Sequence, residues 1–280
     1  MWAEALLANA GSLRLATFVA VFALMAIWEL VVPRRAGDPP RSARWPGNLG
    51  ILLVDAVLLR LVFPAAAVGF AAVVEARGWG LLSLVEWPAW LAVLLAIVAL
   101  DLAVYLQHVL MHSIPLLWRL HRVHHTDLAI DVTTGLRFHP LEILLSMVLK
   151  CAVIAALGAP VVAVLIFEIV LNAASMFNHG NAGIPVAIDR WLRLVIVTPD
   201  MHRVHHSVIR RETNSNFGFA IPWWDRCFGT YRAQPAGGHL SMTIGIEQFR
   251  EARDSRLDRL LLQPWRAAPT VYPADRADEA

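Results

Sequence analysis

The sequence predicts an all-α integral membrane protein: a bundle of about four to five transmembrane or re-entrant helices with a cytosolic helical cap that holds a histidine-rich dimetal site. Three observations predict it. Of the 280 residues, 58% are hydrophobic and 16% charged, with mean hydropathy +0.55, which is too apolar for an ordinary soluble domain. The apolar residues collect in runs long enough to cross a bilayer. The eleven histidines gather in two stretches, HVLMHSIPLLWRLHRVHH (108–125) and HRVHH (202–206), with few elsewhere.

In chain order, residues 13–32 (LRLATFVAVFALMAIWELVV) can cross about 30 Å of hydrocarbon as one helix, with Trp28 and Glu29 at its interfacial end. The run is too long for a signal-peptide core, and no small-residue cleavage site closes it. The prolines of PRRAGDPPRSARWPG (33–47) are expected to keep that stretch a loop. A second run spans 49–74, with Pro64 as a kink; Asp55 and Arg60 inside it are expected to face the interior or pair with each other. After a loop carrying Trp79 and Trp87, a third run from Pro88 to Gln107 is expected to continue past the membrane through His108 and His112. Beyond the turn-like RFHP (137–140), residues 142–157 and 160–178 form two more runs broken at Gly158 and Pro160, either tilted crossings or a re-entrant hairpin. Residues 185–197 mix Arg190, Trp191 and Arg193 with aliphatics, as an interfacial helix does. From 198 onward the chain is polar, and 266–280 is expected to be a loose tail.

Arg34, Arg35, Arg41 and Arg44 crowd the first loop, whereas 75–87 carries only Arg77 against Glu75 and Glu86. The positive-inside rule makes the first loop cytoplasmic. Two crossings later 108–140 returns to that side, and so does everything after the hairpin. Both histidine stretches are therefore expected at the cytoplasmic face of a bacterial inner membrane. A formal charge of +2, with no basic stripe interleaved with aromatics, excludes a nucleic-acid partner. Cys151 and Cys227 lie far apart and suggest neither a disulfide framework nor a zinc ribbon.

Side chains three or four apart on a helix share a face, roughly 5–6 Å from one another. HXXXH, then HXXHH, then a distant HXXHH therefore aim several imidazoles at one point. Neutral imidazole suits iron, zinc, copper and nickel. His108, His112, His121, His124, His125, His202, His205 and His206, with His179 (in FNHGN), are too many for one ion and about right for two. Structural zinc uses four ligands, usually including cysteine. No acid lies within the clusters to complete a two-His-one-carboxylate triad, and HEXXH is absent. His179 reads as a ligand or a helix cap, with Glu168, Asn172 and Ser175 on its helix face as partners for the site. Asp101, seven residues before His108, either orients a ligand or makes an intramembrane ion pair. His139 before Pro140 reads as structural, as a partner of a ligand or as an extra ligand, and His239 in a Gly-rich loop as a solvated surface residue.

The three histidine motifs followed by NSNFGFAIPWWDRCFGTYR (214–232) resemble the fatty acid hydroxylase (sterol desaturase) superfamily over roughly 90–232. The resemblance implies a non-haem centre of two iron ions held by histidines alone, with O2 as co-substrate, that hydroxylates or desaturates a C–H bond of a sterol, fatty acyl chain or related apolar lipid. It carries the ligand role to the eight motif histidines and to His179. Some relatives have a further histidine where Ser175 stands, which leaves a tenth ligand open, with His139 as a candidate. It divides the chain into an N-terminal transmembrane region (1–87), a catalytic domain (88–232) and a C-terminal cytosolic tail (233–280). The chain shows no cytochrome, flavin or ferredoxin signature, so electrons are expected from a separate ferredoxin- or cytochrome-type donor on the cytoplasmic side. Arg122, Arg203, Arg210 and Arg211 are candidates to receive it, or simply positive-inside residues. Trp118, Trp223 and Trp224 border a lateral lipid entrance or anchor at the interface. The alternative functions are a histidine-rich metal transporter and a metal-stabilised, catalytically silent membrane protein.

Overall fold

In lipid a chain can satisfy its backbone polar groups only as helices or a closed barrel. The computed structural model, which describes residues 7–37 and 39–267, folds every apolar run as helix. Among the described residues the only β pairing is two isolated bridges, Pro33 with Ala182 and Ser207 with Ile244. Five helical segments are long and apolar enough to cross a membrane. They are α1 (Ala10–Val31); α2 (Arg41–Val62) with its continuation α3 (Ala66–Ala76); α4 (Ala89–Ser113); α6 (Pro140–Leu157); and α7 (Val161–Asn178). Among the shorter helices are α5 (Pro115–His125) and α9 (Pro199–His205), which carry histidines, and α8 (Val186–Leu192), which follows α7. The chain is a membrane protein.

Two expectations about proline need correction. The 33–47 stretch is not all loop, because α2 begins at Arg41 and carries Pro46 as its sixth residue. That early in a helix a proline removes only one hydrogen bond, the one to Ser42. Pro64, in contrast, breaks its run rather than kinking it. Phe63 leaves the helix, and Ala66, the first residue of α3, sits at φ 51°. Arg60 donates to the Pro64 carbonyl at 2.9 Å across that break. Arg60 is therefore not the partner of Asp55, which alone of the two is buried.

The uninterrupted 25-residue α4 runs through His108 and His112 as expected. Ile114 is extended, and Pro115 opens α5 at the first helical position, where its missing N–H costs nothing. This turn lays α5 back on the end of α4. At the opposite end, Gly158 closes α6 with φ 68° and lies against Gly80, where an added Cβ would sit 1.9 Å from the Gly158 nitrogen. The α6–α7 hairpin thus extends as far from the histidines as the α3–α4 connection does. Small side chains let the helices approach there: Ala67, Ala71 and Val74 of α3 pack with Ala96 of α4, Ile154 of α6 and Ala163, Val164 and Phe167 of α7.

The arginine loop after α1 is stitched to the histidine end. Gly183 donates to the Val32 carbonyl at 2.8 Å, Arg34 grips Asp200 through two nitrogens at 3.0 Å, and Arg35 reaches the Met242 carbonyl at 2.9 Å. Glu29 accepts from the backbone of both Val132 (2.7 Å) and Asn181 (2.8 Å). The first loop and both histidine stretches therefore share one end of the bundle. On α8 and just beyond it, Val186, Ile188, Trp191 and Val195 are more than half exposed, as an interfacial segment would leave them. Arg266, where a loose tail was expected to begin, is held in place. That residue pairs with Asp254 at 2.9 Å, and its carbonyl accepts from Arg122 at 2.7 Å; positions 268–280 lie outside the described residues.

Candidate metal centre

Four elements bring nine buried imidazoles together: the end of α4 (His108, His112), α5 (His121, His124, His125), the residue that ends α7 (His179), and α9 with the residue after it (His202, His205, His206). The start of α9 is set by Thr198, which accepts from Met201 at 3.3 Å, and by Pro199 in the first turn. The imidazoles fall into two groups, His108, His112, His121, His125 and His205 in one and His124, His179, His202 and His206 in the other. Within each, one ligand atom per residue lies within 4.8 Å of all the others. The groups do not follow the motifs. Each i,i+4 pair (108/112, 121/125, 202/206) stays in one group, while the residue three along from a pair's first member, His124 or His205, crosses to the other. The groups adjoin, with His125 and His206 stacked at 4.7 Å.

The proton positions follow from the partners, since a carbonyl or carboxylate can only accept. Nδ1–H is donated outward by His108 to Phe217 O (2.8 Å), His112 to Asn214 Oδ1 (3.2 Å), His121 to Glu142 Oε1 (2.7 Å), His124 to Arg137 O (3.2 Å), His179 to Ser175 O (2.7 Å) and His205 to Ser215 O (2.8 Å). Each of these rings turns a lone pair on Nε2 inward. The Nε2 atoms of His124 and His179 stand 3.0 Å apart, a distance at which two lone pairs repel unless a cation lies between them. Similar approaches join His112 to His125 and His179 to His202, both at 3.1 Å. Two nitrogens at right angles about 2.1 Å from one ion are separated by about 3 Å. Among the described residues, Nε2 of His108, His121 and His205 and both nitrogens of His206 have no hydrogen-bond partner. This donor set fits a transition-metal ion in each group. Burial, then neighbouring imidazoles, hold His124, His125, His202, His205 and His206 well below the ordinary histidine range, and burial lowers His179 to about 4. All six are neutral near pH 7, as ligands must be.

Several residues singled out from the sequence stand elsewhere. Glu168 pairs with Lys150 (3.1 Å) and Arg14 (3.2 Å), and Asn172 donates to the Glu168 carbonyl (2.7 Å), so neither reaches the centre. Ser175 supports His179 through its main-chain carbonyl, while its hydroxyl goes to Gly135 O at 2.7 Å. Asp101 neither orients a ligand directly nor forms an ion pair; it accepts from Trp224 Nε1 at 2.8 Å. His139 caps α6, accepting from Leu141 N at 3.2 Å, and lies in neither imidazole group. His239 is not solvated. It is buried with Nε2 3.7 Å from Asp200, and burial lowers its pKa to about 4. Arg122 and Arg203 are buried too: Arg122 holds the Gln263 and Arg266 carbonyls and Arg203 pairs with Asp200, so neither is free to receive a partner. Trp118 is a wall rather than a border, its ring 4.9 Å from His112. Trp223 is half-exposed and donates to Leu194 O at 2.6 Å, which suits an anchor beside α8.

The sequence reading missed Glu142, Asn214 and the clamp behind the second motif. Among the described residues neither imidazole group contains an acid, and Glu142 in the first turn of α6 meets His121 from behind. The clamp centres on Asp127, two residues after His125. Burial would raise its carboxyl, but the guanidiniums of Arg44 (3.1 Å) and Arg137 (3.8 Å) outweigh that and hold it low. Arg44 also pairs with Asp131 at 2.5 Å, and Arg137 donates to Val123 O (2.8 Å) and Thr126 Oγ1 (2.7 Å), while its own carbonyl receives His124. α2 is thereby locked to the loop behind the imidazoles. An acidic residue opening an apolar helix just after the motif was the available signal for Glu142; the polar run NSN after the last motif was the signal for Asn214.

Residues 93–230 match the fatty acid hydroxylase family model. The ornithine lipid hydroxylase OlsE of Rhizobium tropici is 32% identical over 161 residues, covering 58% of this chain and 47% of that protein. Human alkylglycerol monooxygenase is 26% identical over 159 residues (55% and 34% covered), and the fatty acid hydroxylase vlmA of a Lecanicillium species 29% over 164 (53% and 44%). The chain spans less than half the length of these relatives. No solved structure matches it.

Proposed function

The chain belongs to the fatty acid hydroxylase and sterol desaturase superfamily, and on that premise we propose that it is a membrane-bound oxygenase that hydroxylates, or desaturates, a C–H bond of a lipid. The observation that carries this is the double set of converging buried imidazoles, five and four, at one end of an apolar bundle. His108, His112, His121, His125 and His205 would hold one iron ion, and His124, His179, His202 and His206 the other. Iron held there would supply the redox chemistry needed to activate O2 toward an unactivated carbon. The chain supplies position and dryness. Glu142, Asn214 and the carbonyls of Arg137, Ser175, Ser215 and Phe217 hold Nδ1–H outward and so keep each Nε2 aimed inward. Phe217, 5.1 Å from His112 and buried, and Trp118 keep water from that group's flank.

The relatives' names point to lipids bearing alkyl chains, and such a chain would approach from the bilayer, where Ile188, Trp191, Val195 and Ile196 present an exposed apolar face on and beside α8. Putting one atom of O2 into the lipid and the other into water consumes two electrons and two protons from outside the lipid, hence a separate donor. With Arg122 and Arg203 buried, the exposed Arg211 remains as a candidate to meet it. The site faces the cytoplasm in this reading, supported by the four arginines of the first loop and that loop's docking beside the histidines. A transporter would distribute its ligands along the bundle; these lie at one end.

Metal analysis of the full chain purified without added metal, followed by oxygen uptake after reduction, tests the proposal. Two irons per chain with reductant-dependent uptake is the expected result. A single zinc with no uptake would sink it. A reporter fused after residue 240 should read cytoplasmic, and a periplasmic signal would reverse the sidedness.

A further inference from the structure

We infer that Asp225 is a positioning residue for one metal position only: through the segment 214–218 it sets the tautomer and direction of the five-imidazole group, leaving the four-imidazole group untouched. This rests on the reading of the two groups as metal ligands.

The segment Asn214–Gly218 supplies three of the outward acceptors described above, Asn214 Oδ1, Ser215 O and Phe217 O. They serve His112, His205 and His108, all members of the five-imidazole group. The outward acceptors of the other group, Arg137 O and Ser175 O, belong to different parts of the chain. An irregular segment cannot hold three acceptors at fixed angles by its own backbone preferences, so something must hold the segment.

Asp225 does so. Its carboxylate, completely buried, accepts from the backbone N–H of Phe217 at 2.8 Å and of Gly218 at 2.9 Å, and from the Thr230 hydroxyl at 2.7 Å. The two backbone bonds flank the Phe217 carbonyl that receives His108. Only glycine permits the approach, since a Cβ at Gly218 would fall 2.6 Å from Asp225 Oδ2. Asn216, at φ 53°, adds a second clamp: its amide donates to Met201 O (2.9 Å) on α9 and Arg232 O (2.8 Å) and accepts from Arg232 N (2.8 Å).

The same stripe of α4 that ends in the ligands grips this assembly from the other side. Asp101, Tyr105, His108 and His112 are spaced four, three and four apart and so share a helix face. Asp101 holds Trp224 Nε1 at 2.8 Å, and Tyr105 Oη meets Thr230 Oγ1 at 2.9 Å. Asp101, read from the sequence either as orienting a ligand or as half of an intramembrane ion pair, is an anchor for the loop that receives His108.

Chelator competition on the full chain in detergent tests the assignment, read as metal content and affinity rather than turnover. Wild type should hold two ions. In Asp225→Asn one amide hydrogen must face a backbone N–H, so one ion should bind about 10–100-fold more weakly while the other keeps its wild-type affinity. Combining variants locates the effect. In the His124→Ala background, which leaves the five-imidazole position, Asp225→Asn should weaken the remaining ion; in the His205→Ala background it should not. Asn214→Ala should weaken the same ion by less. Should Asp225→Asn fail to fold, Thr230→Val removes one of the three bonds to the carboxylate, and a several-fold weakening confined to the same background is expected. Equal weakening of both ions, or of neither, overturns the role proposed for Asp225. A wild type that binds fewer than two ions overturns the dimetal reading instead.

Discussion

The two imidazole groups differ in what stands behind them. Behind the four-imidazole group the acceptors are main-chain carbonyls, Arg137 O and Ser175 O. Behind the five-imidazole group stand a carboxylate (Glu142), an amide (Asn214) and two carbonyls on a segment that Asp225 holds in place. A main-chain acceptor is set by the fold and survives almost any substitution at its own position. A side-chain acceptor can be exchanged by a single mutation, and a carboxylate also pushes electron density through the ring toward a bound ion. The contrast implies that the fold guarantees one position while the sequence can tune the other.

The largest expected effect comes from removing a ligand. His124→Ala and His205→Ala break one group each, and both should abolish product formation, with losses beyond about 100-fold, and lower metal content. Full activity in His205→Ala would mean that the last motif does not complete the five-imidazole group. Next in size is acid acting on the metal-free protein. His179, of the four-imidazole group, moves from 6.5 to about 4 because it is buried. The unfolded chain therefore takes up that proton first as pH falls, so its contribution to stability is complete above pH 6.5 and declines toward pH 4. The loss is on the order of 3 kcal/mol for this residue. Thermal unfolding of stripped protein between about pH 7.5 and 4.5 reads it, and a flat midpoint would contradict the burial of neutral imidazoles.

Glu142→Gln sharpens the comparison most directly. Its amide oxygen can still accept from His121 but carries no charge, so metal affinity should fall by about 10-fold, in the five-imidazole position alone. Metal titration of His124→Ala with and without Glu142→Gln measures this, and an equal loss in the His205→Ala background would erase the difference between the groups. The smallest effect is expected at His239, buried outside both. His239→Ala should leave metal content unchanged and lower stability by about 1 kcal/mol, read from the unfolding midpoint. Loss of metal there would extend the site through Asp200, which pairs with Arg203 between His202 and His205.

The histidines were legible because metal binding needs particular residue types at helical spacing, and a helix converts spacing into direction. Their partners were not legible in the same way. A carbonyl acceptor leaves no mark on residue identity, so Arg137, Ser175, Ser215 and Phe217 could not announce themselves. Glu168 and Asn172 misled for the converse reason. Lying on the helix face of His179, they are separated from it by eleven and seven residues along α7, and Lys150 and Arg14 meet Glu168 at that depth instead. The arginines of the first loop were read for their charge, and that charge agrees with the shared end of loop and histidines. Arg34 and Arg44 are nonetheless fixed to Asp200, Asp127 and Asp131, contacts that lie 83 or more residues away in the chain.

By itself the sequence determined the membrane bundle, the nine imidazoles and the end of the bundle at which they meet, because hydropathy and helical periodicity are local properties of the chain. Only the tertiary structure decided how the imidazoles divide, five and four across the motifs rather than along them. The turn at Ile114–Pro115, the seat of α9 and the end of α7 set that division, and each depends on packing between segments far apart in sequence. It likewise made a structural anchor of Asp101 and a buried group of His239, since what a polar side chain does inside a protein is settled by the partner that reaches it.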